Sequence, residues 1–240
     1  MKKFEQELGA LQDRVAEMGD LTQSMVAMAI TAMTDLPAVY HKVLDAEERL
    51  DQMQLDIDHE AVRLLTVYSP AAADLRFILS VSRVNNALER IGDQAVGLCH
   101  NLDFAACHAS STVLPKLRRM SEAVQAMVRD ALLAFVCKDA ALARATMAQD
   151  DMLDVLNDEI LRETLSDDVV RQAITGPRDV AGALVQVLLA RSLERIGDQA
   201  TNICEEVIYT AEGDDVRHMH SHKMHPPAGP AGHEFPQCAH

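Results

Sequence analysis

Leu88 to Ala95 reads LERIGDQA, and Leu193 to Ala200 reads LERIGDQA again, eight identities in eight at an offset of 193 − 88 = 105 residues. Chance does not give such a match, so the chain contains an internal duplication, and that duplication decides the fold. Working outward, MGDLTQSMVAMAI from Met18 aligns with MSEAVQAMVRDAL from Met120 at 120 − 18 = 102. Around the first copy, Val81, Val84, Leu88, Ile91, Ala95, Leu98 and Leu102 recur at spacings of three and four, the apolar stripe of an amphipathic helix. The prolines ahead of the last stretch are Pro37, Pro70, Pro115 and Pro177, and each is expected in the first turn of a helix, where its missing N–H costs nothing. The expected helices span about 5–34, 38–66, 70–106, 113–137, 139–174 and 177–211. The resulting fold is all-α: two tandem, sequence-related three-helix bundles packed side by side, residues 1–110 and 111–212. A stretch rich in His, Pro and Gly, residues 213–240, follows and is expected to be disordered.

Composition agrees with an all-helical chain. It is 48% hydrophobic but only 3% aromatic, with 12 Met and no Trp, whereas sheets draw on aromatic and β-branched residues. A formal net charge of −15 repels a phosphate backbone, which argues against nucleic acid and favours cations as ligands. The five cysteines, Cys99, Cys107, Cys137, Cys204 and Cys238, contain no CxxC pair, so neither a disulfide framework nor a thiolate zinc site is expected. With no signal-peptide pattern and no run of about 20 apolar residues, a cytoplasmic location is expected.

The charge is not scattered. At about 100° per residue, Glu89 and Asp93 fall on the side of their helix away from the core stripe, one turn apart. The preceding helix carries Glu47 and Asp51 beside a stripe of Leu50, Met53, Ile57, Ala61 and Leu64. Their counterparts in the second copy are Asp150 and Asp154, both at an offset of 103, since 150 − 47 and 154 − 51 agree, and Glu194 and Asp198. Counted from the turn joining the two helices, the pairs in each half lie at overlapping heights. Four carboxylates on one surface call for a counter-charge, so each quartet reads as a metal site or a dedicated acidic docking surface. Oxygen ligands suit hard or borderline cations, among them Mg, Mn, Ca, Fe and Zn.

These residues resemble the PhoU family, whose architecture is a duplicated three-helix unit with LERIGD and an E(D)xxxD pattern on its third and sixth helices. The likeness covers roughly residues 5–212 and includes SPAAADLR at Ser69 to Arg76. It implies that Glu47, Asp51, Glu89 and Asp93 hold metal in one bundle, and Asp150, Asp154, Glu194 and Asp198 in the other. The implied cofactors are divalent or trivalent ions in multinuclear clusters, Fe or Zn foremost, with Mg or Mn as alternatives. The implied function is negative regulation of the phosphate-starvation response, relaying the state of the Pst phosphate ABC transporter to a sensor histidine kinase. Partners would be the transporter's ATPase subunit and the kinase, with membrane association only through them and a homodimer as the assembly. No turnover is implied, and no Gly-rich phosphate loop or Ser/His/Asp set is present.

Two rivals come from other classes: a di-metal carboxylate enzyme, which would add Glu-x-x-His in the bundle core, and a structural scaffold for a phosphate transporter. Asp58 and Asp158 read as solvated helix surface. Arg90 and Arg195 read as partners of neighbouring acids. Met18, Met25, Met28 and Met33 read as core filling. His218, His220, His222, His225, His233 and His240 make the final stretch an incidental metal binder.

Overall fold

A computed structural model describes residues 2–108, 115–164 and 177–217. The expected final stretch therefore lies outside the described residues from His218 onward, as does 165–174 of the expected fifth helix. Among the described residues all regular structure is helical: α1 (Lys2–Tyr68), α2 (Ala72–His108), α3 (Pro115–Cys137), α4 (Ala140–Met147), α5 (Asp150–Thr164) and α6 (Pro177–Glu212).

α1 is continuous in assignment but reverses at one residue. Asp35 leaves helical geometry (φ −145°, ψ 72°), and Pro37 follows in the first turn of the return arm. The two arms are antiparallel, because the Phe4 ring lies 4.9 Å from that of Tyr68 and Arg63 bridges Glu7 at 2.6 Å. The expected pair 5–34 and 38–66 thus survives as a hairpin with almost no loop. In the second half the corresponding reversal falls at Lys138 (φ 54°). Asp139 then caps α4, its carboxylate accepting from the N–H groups of Ala141 and Leu142 at 3.0 Å.

The sequence reading needs two corrections here. The single helix expected from 139 is broken between α4 and α5, where the Gln149 N–H closes on Thr146 O and the Met152 N–H on Gln149 O, three residues back instead of four. No Gly or Pro between 139 and 164 announces this break. Pro70 is not inside a helix: α2 begins at Ala72, after a turn in which Ser69 and Ala72 take positive φ. Pro115 and Pro177 do open their helices.

Every residue of the stripe from Val81 to Leu102 is buried, as are Leu50, Ile57, Ala61 and Leu64 of the neighbouring arm; Met53 is half-buried. Met18 and Met25 fill core, and Met28 and Met33 pack against it. The buried residues of both halves form one continuous core, with the bundles side by side. α2 and α6 line the seam. Glu206 is buried there at 4% exposure, accepting from Ser80 Oγ at 2.7 Å and from the Arg83 guanidinium at 3.1 Å across the two halves. Gly19 of α1 sits beneath Leu132 of α3, and a Cβ there would collide with it. The Phe77 and Phe135 rings stack 6.3 Å apart. No described helix is long and apolar enough to cross a membrane.

Candidate metal centres

Two glycines set the spacing of the acids. Leu50 stands between Glu47 and Asp51 on the return arm of α1, and it rests on Gly92, which stands between Glu89 and Asp93 on α2. A Cβ at Gly92 would occupy the place of the Leu50 Cδ2. The second half repeats the device, Leu153 resting on Gly197 with an Asp150 carboxylate oxygen 3.7 Å from where a Cβ would stand. The missing side chain lets the two helices approach closely, and the paired acids flanking that contact are brought together from both sides.

The eight expected residues form two quartets, and none of the eight is buried. In the first half Glu47 and Glu89 are half-buried while Asp51 and Asp93 are exposed. Burial against the helix pair, then the charges of Asp51 and Asp93, push the Glu47 carboxyl above its ordinary range; His100 opposes this. Glu89 is raised by burial, by Asp93, by Asp51 and by Glu47, against Arg90. Asp93 is raised by burial and by Asp51. Glu47, Glu89 and Asp93 each therefore feel an acid of the opposite helix, so the two pairs, whose convergence their heights had left open, lie close enough to interact.

The second quartet is more strongly perturbed. Burial, Asp154, Asp151 and Glu194 push Asp150 up to about 6. Burial, Asp150 and Asp154 push Asp198 up to about 6 as well, Arg195 opposing. Asp198 is exposed as a residue, while its carboxyl is partly desolvated. Asp154 is raised by burial, Asp151 and Asp158, and Glu194 by burial, Asp198 and Asp154. Among the described residues no three His, Cys, Asp or Glu side chains yet surround a single point as ligands would.

The donor set suits a polyvalent cation. Charge repulsion within each quartet is the energy that a cation would relieve, and the second quartet borders a buried polar atom without a partner, Thr201 Oγ1. Cys99 and Cys204, equivalent in the duplication, are buried free thiols that burial pushes up to about 11 and about 12.

A PhoU domain model matches residues 15–102 and again residues 117–207. The chain belongs to the PhoU family. The phosphate-specific transport system accessory protein PhoU homolog of Pseudomonas putida is 36% identical over 225 residues, spanning 93% of this chain and 86% of that one. The crystal structure of PhoU from Pseudomonas aeruginosa superposes with a TM-score of 0.81 at 35% identity, covering 88% of this chain and 100% of that one. The phosphate transport system regulatory protein PhoU from Streptococcus pneumoniae, at 23% identity, shares the fold with a TM-score of 0.79 over 89% and 99% of the two chains.

The remaining singled-out residues divide. Asp58 is not a solvated surface acid in this PhoU-family chain: it accepts from Asn85 Nδ2 at 3.0 Å and Ser82 Oγ at 3.3 Å, tying α1 to α2. Asp158 is exposed, paired with Arg162 at 3.1 Å. Arg90 and Arg195 act on the neighbouring acids through their charge. The reading from sequence passed over His100, Thr201 and Glu205. The signal available for them is divergence between the copies, since 201 − 96 and 205 − 100 both equal 105, and Val96 faces Thr201 in that register as His100 faces Glu205.

Proposed function

We propose that this PhoU-family chain regulates phosphate transport by binding, with no turnover of substrate. Its relatives' names, phosphate-specific transport system accessory protein, support the coarse role. The finer reading is that the chain restrains the phosphate-starvation response, relaying the state of a phosphate ABC transporter, through its ATPase subunit, to a sensor histidine kinase. One observation carries the metal half of the reading: two duplicated quartets of carboxylates, drawn from paired helices, in which Glu47, Glu89, Asp150 and Asp198 have their proton affinity raised by burial and by their acidic neighbours. Glu47, Asp51, Glu89 and Asp93 would hold ions in one half and Asp150, Asp154, Glu194 and Asp198 in the other. A bound cation supplies positive charge that lets all four acids ionise together and stiffens the helix pair that carries them.

Deleting the gene and measuring phosphate-regulated alkaline phosphatase in high phosphate tests the regulatory role; derepression is the expected outcome, and an unchanged level would refute it. Elemental analysis of the purified chain tests the metal half. Metal bound in the native chain and lost from the Glu89→Gln, Asp93→Asn, Asp150→Asn, Asp198→Asn variant supports it. No metal at any quartet, together with intact phosphate regulation by the variant, would remove it.

A further inference from the structure

Glu194, Asp198, Thr201 and Glu205 lie three or four residues apart along α6, so they share one face of that helix. The matching line on α2 is Glu89, Asp93, Val96 and His100, in which the third place is apolar. Thr201 is 8% exposed, and its Oγ1 is buried and closes no hydrogen bond among the described residues. A threonine inside a helix usually gives its hydroxyl to the carbonyl one turn back, as Thr22 does to Met18 O at 2.9 Å and Thr146 to Leu142 O at 3.0 Å. Thr201 does not. The Asp150 carboxylate hangs over the same stretch of α6, its Oδ1 3.7 Å from where a Cβ would stand on Gly197, one turn before Thr201. A buried hydroxyl left open in this way costs stability unless something occupies the space in front of it.

We propose that Thr201 Oγ1 is a direct oxygen ligand for a cation held by Asp150 and Asp198, which makes the second patch chemically different from the first. The inference rests on the metal reading above. A hydroxyl suits the place because it adds an oxygen donor without adding negative charge to four carboxylates that already repel one another, and Ser or Thr hydroxyls serve hard divalent cations elsewhere in this manner. Val96 denies the first patch that ligand. The second patch is therefore the tighter of the two for a hard divalent ion such as Mn²⁺.

Isothermal titration with Mn²⁺ alone tests this on the full chain carrying Glu47→Gln, Asp51→Asn, Glu89→Gln and Asp93→Asn, so that binding reports on the second patch. Adding Thr201→Val, which copies the first half's side chain, should weaken Mn²⁺ binding about tenfold. Thr201→Ser should restore it. The metal-free melting temperature of the Val variant should hold or rise, because an unpartnered buried hydroxyl has been removed. Undiminished Mn²⁺ affinity in Thr201→Val would overturn the proposal while leaving the metal reading standing. Absence of Mn²⁺ binding before Thr201 is touched would overturn the proposal together with the metal reading of the second patch.

Discussion

The two halves carry the same acid pairs on the same Leu-on-Gly contact, yet their patches are not copies. In the first, two acids are exposed, a histidine lies beside Glu47, and Val96 closes the line. In the second, Asp150 opens a helix of its own, Asp151 and Asp158 crowd Asp154, and two carboxyls are pushed up to about 6. The difference shows that duplication preserves what positions the charges and lets the surroundings set how strongly they interact. Repulsion is greater where desolvation is greater, and the second patch has more to gain from a cation.

The comparison breaks most directly at the acids themselves. Asp150→Asn with Asp198→Asn should lower divalent-cation affinity of the second patch by about a hundredfold or more, or roughly 3 kcal/mol. The equivalent Glu47→Gln with Asp93→Asn should cost the first patch less; equal losses, measured by calorimetry, would mean the patches do not differ. Next in size are the contacts shared by both halves. Gly92→Ala and Gly197→Ala each push a methyl into a buried leucine, so each should destabilise the chain by about 1–3 kcal/mol in chemical denaturation. Similar losses are expected, because Leu50 and Leu153 are buried to the same degree.

A subtler distinction lies in pH. Asp150 and Asp198 hold protons in the folded state at pH values where the unfolded chain has released them, so between about pH 4 and about pH 6 the folded state binds more protons. Their contribution to stability is present below the ordinary aspartate range and is lost as pH rises through about 6. The metal-free melting temperature should therefore climb from about pH 7 to about pH 5, and the slope should flatten in the Asp150→Asn, Asp198→Asn variant more than in the first-half variant. Smallest of all is His100→Ala. An exposed side chain of this kind at the rim moves cation affinity at the first patch by less than about twofold.

Much of this was open to reading from the residues. LERIGDQA twice over fixes the repeat, and counting outward from the turn between the return arm and α2 sets Glu47 and Asp51 at heights that overlap those of Glu89 and Asp93, because antiparallel helices run back past each other. The stripe from Val81 to Leu102 was legible because burial follows the helical period. The break after Met147 was not read: it comes from the Gln149 and Met152 N–H groups closing three residues back instead of four, and the signal at hand, Asp150 and Asp151 as first-turn acids of a new helix, is masked because Asp150 reads as half of a charge pair. Asp58 was misread because its partners, Ser82 and Asn85, come from the next helix, which periodicity within one helix cannot reveal. Thr201 escaped notice because a search for charge ignores hydroxyls; the repeat exposes it only where the copies disagree.

The seam has a consequence for anything that touches both patches. Glu206 is inserted between the halves with Ser80 and Arg83 gripping it from α2, so sliding α6 along α2 would strand a carboxylate in the interior. The separation of the two acidic faces is thereby held constant, and the molecule presents its charges to a neighbour as a ruler does its marks, at an interval that neither half can stretch alone.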